Sequence, residues 1–257
     1  MKDRIIGAVI LLGILVPLII LGGIPFQIGV GIIAVFGFKE LFNLYTKNNE
    51  VPLLIEVFSY ISVVMLTLSL DAFLPALGLA ISLLFIPILF YKNDEYTYNK
   101  GIGLFGIVIF VSIIFYNIIN IRLSSLEEFI YLPIITIASD TFAYIGGSLI
   151  GKNKLIERIS PNKTVEGSII ALIVSTSLAS AYYLFFIDPG VNIFVVILAT
   201  FVLSIISQLG DLVFSKIKRE NNVKDYSNLI PGHGGIFDRF DSLAFVALFY
   251  IVIRLFL

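Results

Sequence analysis

Long uncharged apolar runs constrain this chain more than any other feature. A helix needs about 20 mostly apolar residues to cross about 30 Å of hydrocarbon, and nine segments meet that requirement, near residues 5–22, 26–46, 52–70, 72–91, 101–121, 127–150, 168–187, 191–216 and 236–256. With 58% apolar and 14% charged residues among 257 and a mean hydropathy of +1.02, the chain has too little polar surface to cover itself in water. The expected fold is therefore an all-α integral membrane protein with about nine transmembrane helices. Lys2 and Arg4 precede the first run as they would in a secretory leader. The run is long and has no clear small-residue cleavage site, so it is expected to remain as a span.

Charge placement supplies the orientation. With nine spans, all seventeen lysines and arginines except Arg122 and Arg254 fall on the face that holds the N-terminus. The positive-inside rule makes that face cytoplasmic. The expected location is the cell membrane, with multiple passes and a site facing the cytoplasm. Two long connections, 151–167 and 217–235, lie on this face, and chemistry with water-soluble substrates is expected there. The chain reads as bipartite: residues 1–126 embed the protein in the membrane, and 127–257 carry the chemistry. A net charge of −1 excludes a generally basic nucleic-acid binder, and the absence of cysteine excludes thiolate nucleophiles, Cys-ligated zinc and iron–sulfur clusters.

Polar residues inside the spans locate the site. Ser204, Ser207, Gln208, Asp211 and Ser215 share one face of the eighth span, and Lys218 continues that line. A charged Asp facing lipid costs at least about 2.5 kcal/mol, so Asp211 is expected to face a cavity or the bundle interior. Asp238 and Asp241, three residues apart, share a face at the start of the ninth span. At about 1.5 Å per residue, these two lie roughly 3 and 8 Å inside their span and Asp211 roughly 8 Å inside its own, so the three heights coincide. Converging carboxylates need a cation among them, and hard oxygen ligands suit Mg²⁺. First-turn acids are also ordinary partners of a helix dipole, and Arg239 offers to neutralise one of them.

Between these helices, Lys218, Arg219 and Lys224 precede Gly232-His233-Gly234-Gly235, whose glycines permit close backbone approach to a ligand. Acids beside cations suggest a polyphosphate site, although positive-inside topology explains Lys216 and Lys218 equally well. His233, the only histidine, suits loop formation or phosphate contact better than zinc binding. In the other connection Ser160, Lys163 and Thr164 offer donors to phosphate or a nucleotide, and Glu166 offers a ligand or orienting group. Ser160 as a helix N-cap with Pro161 as first helical residue fits equally. Asp140, in mid-span with Tyr144 one turn later, is a further site candidate. Lys39, Glu40 and Glu56 are expected to pair locally or snorkel.

The stretch from Ser215 to Asp241 resembles the signature of the CDP-diacylglycerol synthases, or phosphatidate cytidylyltransferases. The elements that carry the resemblance are Ser215-x-x-Lys218-Arg219, Lys224-Asp225, Pro231-x-His233-Gly234-Gly235 and Asp238-Arg239-Phe240-Asp241. Ala143-Tyr144-x-x-Gly147, Ser160-Pro161-x-Lys163-Thr164-x-Glu166-Gly167 and Ser207 to Asp211 are similar to the family's other blocks. Ser148 departs from the basic residue expected there, which bears on one phosphate contact. The resemblance implies an enzyme joining CTP to phosphatidic acid to give CDP-diacylglycerol and pyrophosphate, with Mg²⁺, a monovalent cation such as K⁺, and a homodimeric state. It implies that Asp211, Asp238 and Asp241 hold the metal and that Lys218, Arg219, Lys224 and Arg239 hold the triphosphate or lipid headgroup. Ser160, Lys163, Thr164 and Glu166 would then serve the nucleotide. Rival expectations are a polyprenol kinase or prenyltransferase-like enzyme, since Asp238-x-x-Asp241 is also a diphosphate–Mg²⁺ pattern, and a cation-coupled transporter using Asp140 and Asp211.

Overall fold

The computed structural model describes residues 2–92 and 95–257. The side chains of Lys2 and Arg4, counted above on the basic face, lie outside what it describes. In chain order the described helices are α1 (Lys2–Leu21), α2 (Gly23–Thr46), α3 (Leu53–Thr67), α4 (Phe73–Phe85), α5 (Tyr98–Ser124) and α6 (Leu126–Ile150), followed after a hairpin by α7 (Val165–Tyr182), α8 (Ile193–Glu220) and α9 (Phe237–Ile253). Each expected apolar segment falls on one of them. Short helical turns at Leu70–Ala72 and Ile86–Leu89 lengthen α4 at both ends, and Tyr183–Ile187 and Arg254–Phe256 extend α7 and α9.

Among the described residues, six stretches are long and apolar enough to span: Gly23–Thr46, Leu70–Leu89, Tyr98–Ser124, Leu126–Ile150, Val165–Ile187 and Ile193–Glu220. Helices suit such sequences because hydrocarbon offers no water to backbone amides and carbonyls, which must pair within the segment. The side-chain distribution agrees. On α8, Thr200, Ser204 and Ser207 are fully buried, whereas Leu198 is 64% exposed. Polar groups point inward and apolar ones outward, as in a helical membrane protein.

The chain divides into two compact units. The first comprises residues 1–120 and 225–237, so the segment before α9 packs with the N-terminal helices. Its core includes Phe38 edge-on to Tyr60 at 5.0 Å and Phe237 beside Phe115 at 6.2 Å and Tyr226 at 6.1 Å. Phenols satisfy carbonyls where helices are interrupted: Tyr96 donates to Leu84 O at 2.9 Å and Tyr116 to Leu70 O at 3.0 Å. The second bond braces a non-glycine residue at φ 42°.

The second unit comprises residues 121–224 and 238–257. Ser125 starts α6 by accepting from Glu128 N at 3.1 Å, and Asn192 starts α8 by accepting from Phe194 N at 2.9 Å. At the chain end of α9, Arg254 pairs with Glu128 at 3.1 Å. Nearby Tyr131 packs edge-on against Tyr183 and tilted against Tyr250, and it shares a 2.7 Å hydrogen bond with Thr200. Farther along, Ser175 donates to Ser204 at 3.0 Å, and Gln208 joins Ser168 through its amide.

One connection differs from the helical alternative considered for Ser160. Lys154–Ile156 (β1) pairs antiparallel with Ser160–Thr164 (β2), with Lys154 opposite Thr164 and Ile156 opposite Ser160. Ser160 is therefore in a strand, and Thr164 is the cap of α7, accepting from Gly167 N at 3.2 Å. A β-branched residue in extended conformation (φ −122°, ψ 153°) suits the cap position, since the cap must not itself be helical.

Candidate functional site

A cavity of about 370 Å³ opens within the second unit. Its wall is formed by Asp140, Ala143 and Tyr144 of α6, Ser160, Asn162 and Lys163 of β2, Asp211 of α8, and Asp238, Arg239 and Asp241 of α9. The volume falls within the range of small-molecule pockets. Its lining does not resemble an ordinary apolar pocket, because four carboxylates and two cations from four elements converge on one space.

Local structure explains the convergence. One helical turn separates Asp140 from Tyr144, and Asp238 from Asp241, so each pair faces the same way. Strand β2 projects alternate residues to one side, which sends Ser160 and Asn162 toward the cavity; Lys163 reaches it by its length. Gly210 brings α8 against α9 beside Asp211: a Cβ there would lie 2.8 Å from Phe245 Cβ and 3.0 Å from Asp241 O.

Two ion pairs organise the charges. Lys163 Nζ donates to Asp211 Oδ2, and Ser215 Oγ donates to Asp211 Oδ1 at 3.4 Å. Lys218 Nζ donates to Asp238 Oδ1 at 2.8 Å, with side chains 12% and 3% exposed. Asp241 Oδ1 accepts from Ser242 N at 2.8 Å. Among the described residues, no three acidic or histidine side chains are gathered so as to hold a metal ion as they stand. Asp211 and Asp238 are instead each paired with an ammonium group.

Of the residues singled out in the sequence, Asp140, Ser160, Lys163, Asp211, Asp238, Arg239 and Asp241 line the cavity together, and Lys218 touches it through Asp238. Others lie elsewhere. Thr164 is buried as the α7 cap. Glu166 turns back on the hairpin, accepting from Asn153 Nδ2 at 2.7 Å and from Lys152 N at 3.1 Å. Arg219 Nε donates to Ile159 O at 3.4 Å, tying the end of α8 to the hairpin, and Lys224 is exposed. His233 belongs to the first unit, its Nδ1 3.3 Å from Pro231 O in a turn closed by Ile230 N to Gly234 O at 2.8 Å. Gly232 and Gly234 have φ of 70° and 84°, so these glycines serve that turn. Ser148 is exposed and bonds back to Ile145 O at 2.8 Å.

Asn162 was not anticipated, although its place in a strand beside Lys163 makes it a natural neighbour. Glu40 corrects the expectation of a snorkelling or locally paired residue. It is 3% exposed and accepts hydrogen bonds from Ser227, Ile236 and Phe237. No sequence signal marked it, because its partners lie nearly two hundred positions away.

Fold and site together define a helical membrane protein whose cavity gathers four carboxylates with a lysine and an arginine. The chain belongs to the cytidylyltransferase family, whose model matches residues 2–256. It is 36% identical over 251 residues to a phosphatidate cytidylyltransferase of Staphylococcus haemolyticus (strain JCSC1435), covering 96% of each chain. Proteins of the same name from Staphylococcus aureus (strain COL) and Staphylococcus epidermidis (strain ATCC 12228 / FDA PCI 1200) are 35% identical over the same coverage. The chain is accordingly an enzyme of the nucleotidyltransferase class.

Proposed function

We propose that this chain transfers the cytidylyl group of CTP to phosphatidic acid. A lipid phosphate oxygen attacks the α-phosphorus of CTP, the bond from that phosphorus to the bridging oxygen breaks, and pyrophosphate leaves. The observation that carries this reading is the shared cavity of Asp140, Asp211, Asp238 and Asp241 with Lys163 and Arg239, backed by Lys218 on Asp238, in a chain similar along 96% of its length to phosphatidate cytidylyltransferases.

Two anions must meet in line, so the main tasks are positioning and charge neutralisation. Lys163, Lys218 and Arg239 supply positive charge to phosphate oxygens, and Ser160 and Asn162 offer neutral donors at the cavity wall. A phosphate monoester is already largely ionised near neutral pH, so no strong base is needed. The all-oxygen donor set of Asp211, Asp238 and Asp241 fits Mg²⁺, and two of these carboxylates already hold an ammonium cation. Mg²⁺ there would neutralise charge on the phosphates, and K⁺ is its proposed companion. Lys163 and Lys218 would then turn from the carboxylates to the nucleotide. Nine spans, a cytoplasmic N-terminus and site, and a homodimer complete the proposal.

Purified protein in lipid-containing micelles, given phosphatidic acid and each of the four nucleoside triphosphates with and without Mg²⁺, tests this by lipid mass analysis and pyrophosphate release. CDP-diacylglycerol formed from CTP or dCTP only with Mg²⁺ is expected. No lipid product under any condition would refute it. Product in detergent, without any gradient, also separates the reading from ion-coupled transport.

A further inference from the structure

We infer that Glu40 of α2 is a positioning residue for the carboxylates at the start of α9. This rests on the function proposed above, to which it adds a residue from the half of the chain that looked chemically silent.

The first amides of a helix have no partner within it and require acceptors. The residue before α9 is Ile236, whose side chain carries no acceptor. Glu40 provides one from a distant helix: Oε1 accepts from Ile236 N at 2.7 Å and Oε2 from Phe237 N at 3.0 Å. Oε1 also accepts from Ser227 Oγ at 2.7 Å, which ties the start of the preceding loop to the same carboxyl. Phe237 itself is fully buried between Phe115 and Tyr226. The first residue of α9 is thus held by its backbone and its ring, and Asp238 follows it directly in the chain.

Gly235 belongs to this device. A Cβ there would fall on the Glu40 carboxyl, so a side chain at 235 would displace the cap. Gly235 is not among the residues with positive φ, so alanine suits its backbone.

Glu40→Gln replaces one acceptor oxygen with an NH₂ donor that faces an amide donor, and Gly235→Ala pushes the carboxyl away. Both variants are expected to lower kcat at least tenfold with KM for CTP changed less than about threefold, because a shift of about 1 Å at reacting groups costs up to about a hundredfold. In full-length protein without metal or nucleotide, amide hydrogen exchange across 227–240 should quicken in both variants, and in a Glu40→Ala background Gly235→Ala should have no further effect. Glu40→Asp, one methylene short, should exchange as Glu40→Gln does. Wild-type kcat in both Glu40→Gln and Gly235→Ala would overturn the inference, as would slowed catalysis with unchanged exchange across 227–240. A wild-type chain that makes no CDP-diacylglycerol would refute the proposed reaction instead, and exchange would still decide whether Glu40 holds this segment.

Discussion

Replacing Asp238 by Asn separates its structural role from its chemical one. The carboxylate is 3% exposed and 2.8 Å from Lys218 Nζ, itself 12% exposed. In an effective dielectric of about 20 that geometry gives about 6 kcal/mol of gross attraction, most of which offsets desolvation of both charges. Removing one partner of a buried pair costs about 3–5 kcal/mol. Asn keeps an acceptor oxygen for the ammonium, so the expected loss for Asp238→Asn is about 2–3 kcal/mol. Asp238→Asn/Lys218→Met leaves no uncompensated charge and should recover all but about 1 kcal/mol of that stability. Activity should not recover with it. Loss of electrostatic stabilisation at the reacting phosphates costs at least about 2.7 kcal/mol, or a hundredfold in kcat. Unfolding in mixed micelles and steady-state CDP-diacylglycerol synthesis read the two quantities on the same preparations. More than a tenth of the wild-type rate in Asp238→Asn would refute a ligand role for this carboxylate, and a double variant no more stable than the single would refute the ion-pair accounting.

Lys163→Met, which removes the partner of Asp211, should lower kcat/KM for CTP at least tenfold, measured by initial rates against CTP concentration. Gly210→Val forces α8 from α9 beside Asp211 and should cost about 1–3 kcal/mol of stability, with reduced turnover, read by thermal unfolding and the same assay. Arg254→Ala breaks the pair with Glu128 at the far end of α9 and should lower stability by about 1 kcal/mol or less while KM for CTP stays at the wild-type value, because that pair lies outside the cavity lining.

Hydropathy alone places every helix within a few residues. Hydrocarbon acts on each apolar run separately, so a local sequence average carries the answer. The acid and cation candidates were legible for a related reason: Asp140, Asp211, Asp238 and Asp241 are costly in a membrane, and their cost is visible without knowing their neighbours. Their helical spacing even indicated that Asp238 and Asp241 would share a face.

The partners of these residues were not legible. Lys163 looked like a nucleotide contact, and only the hairpin of β1 and β2 turns it onto Asp211. Lys218 finds Asp238 because α8 and α9 return beside each other, at an approach that Gly210 permits. Glu40 looked like a residue near a span end, yet packing buries it as the cap of a helix far along the chain. Periodicity and hydropathy report what a residue costs in its own element. Which group meets that cost depends on the packing of distant elements, so the apolar helices and the candidate acids were written in the sequence, while the ion pairs, the cap and the cavity came from the tertiary structure.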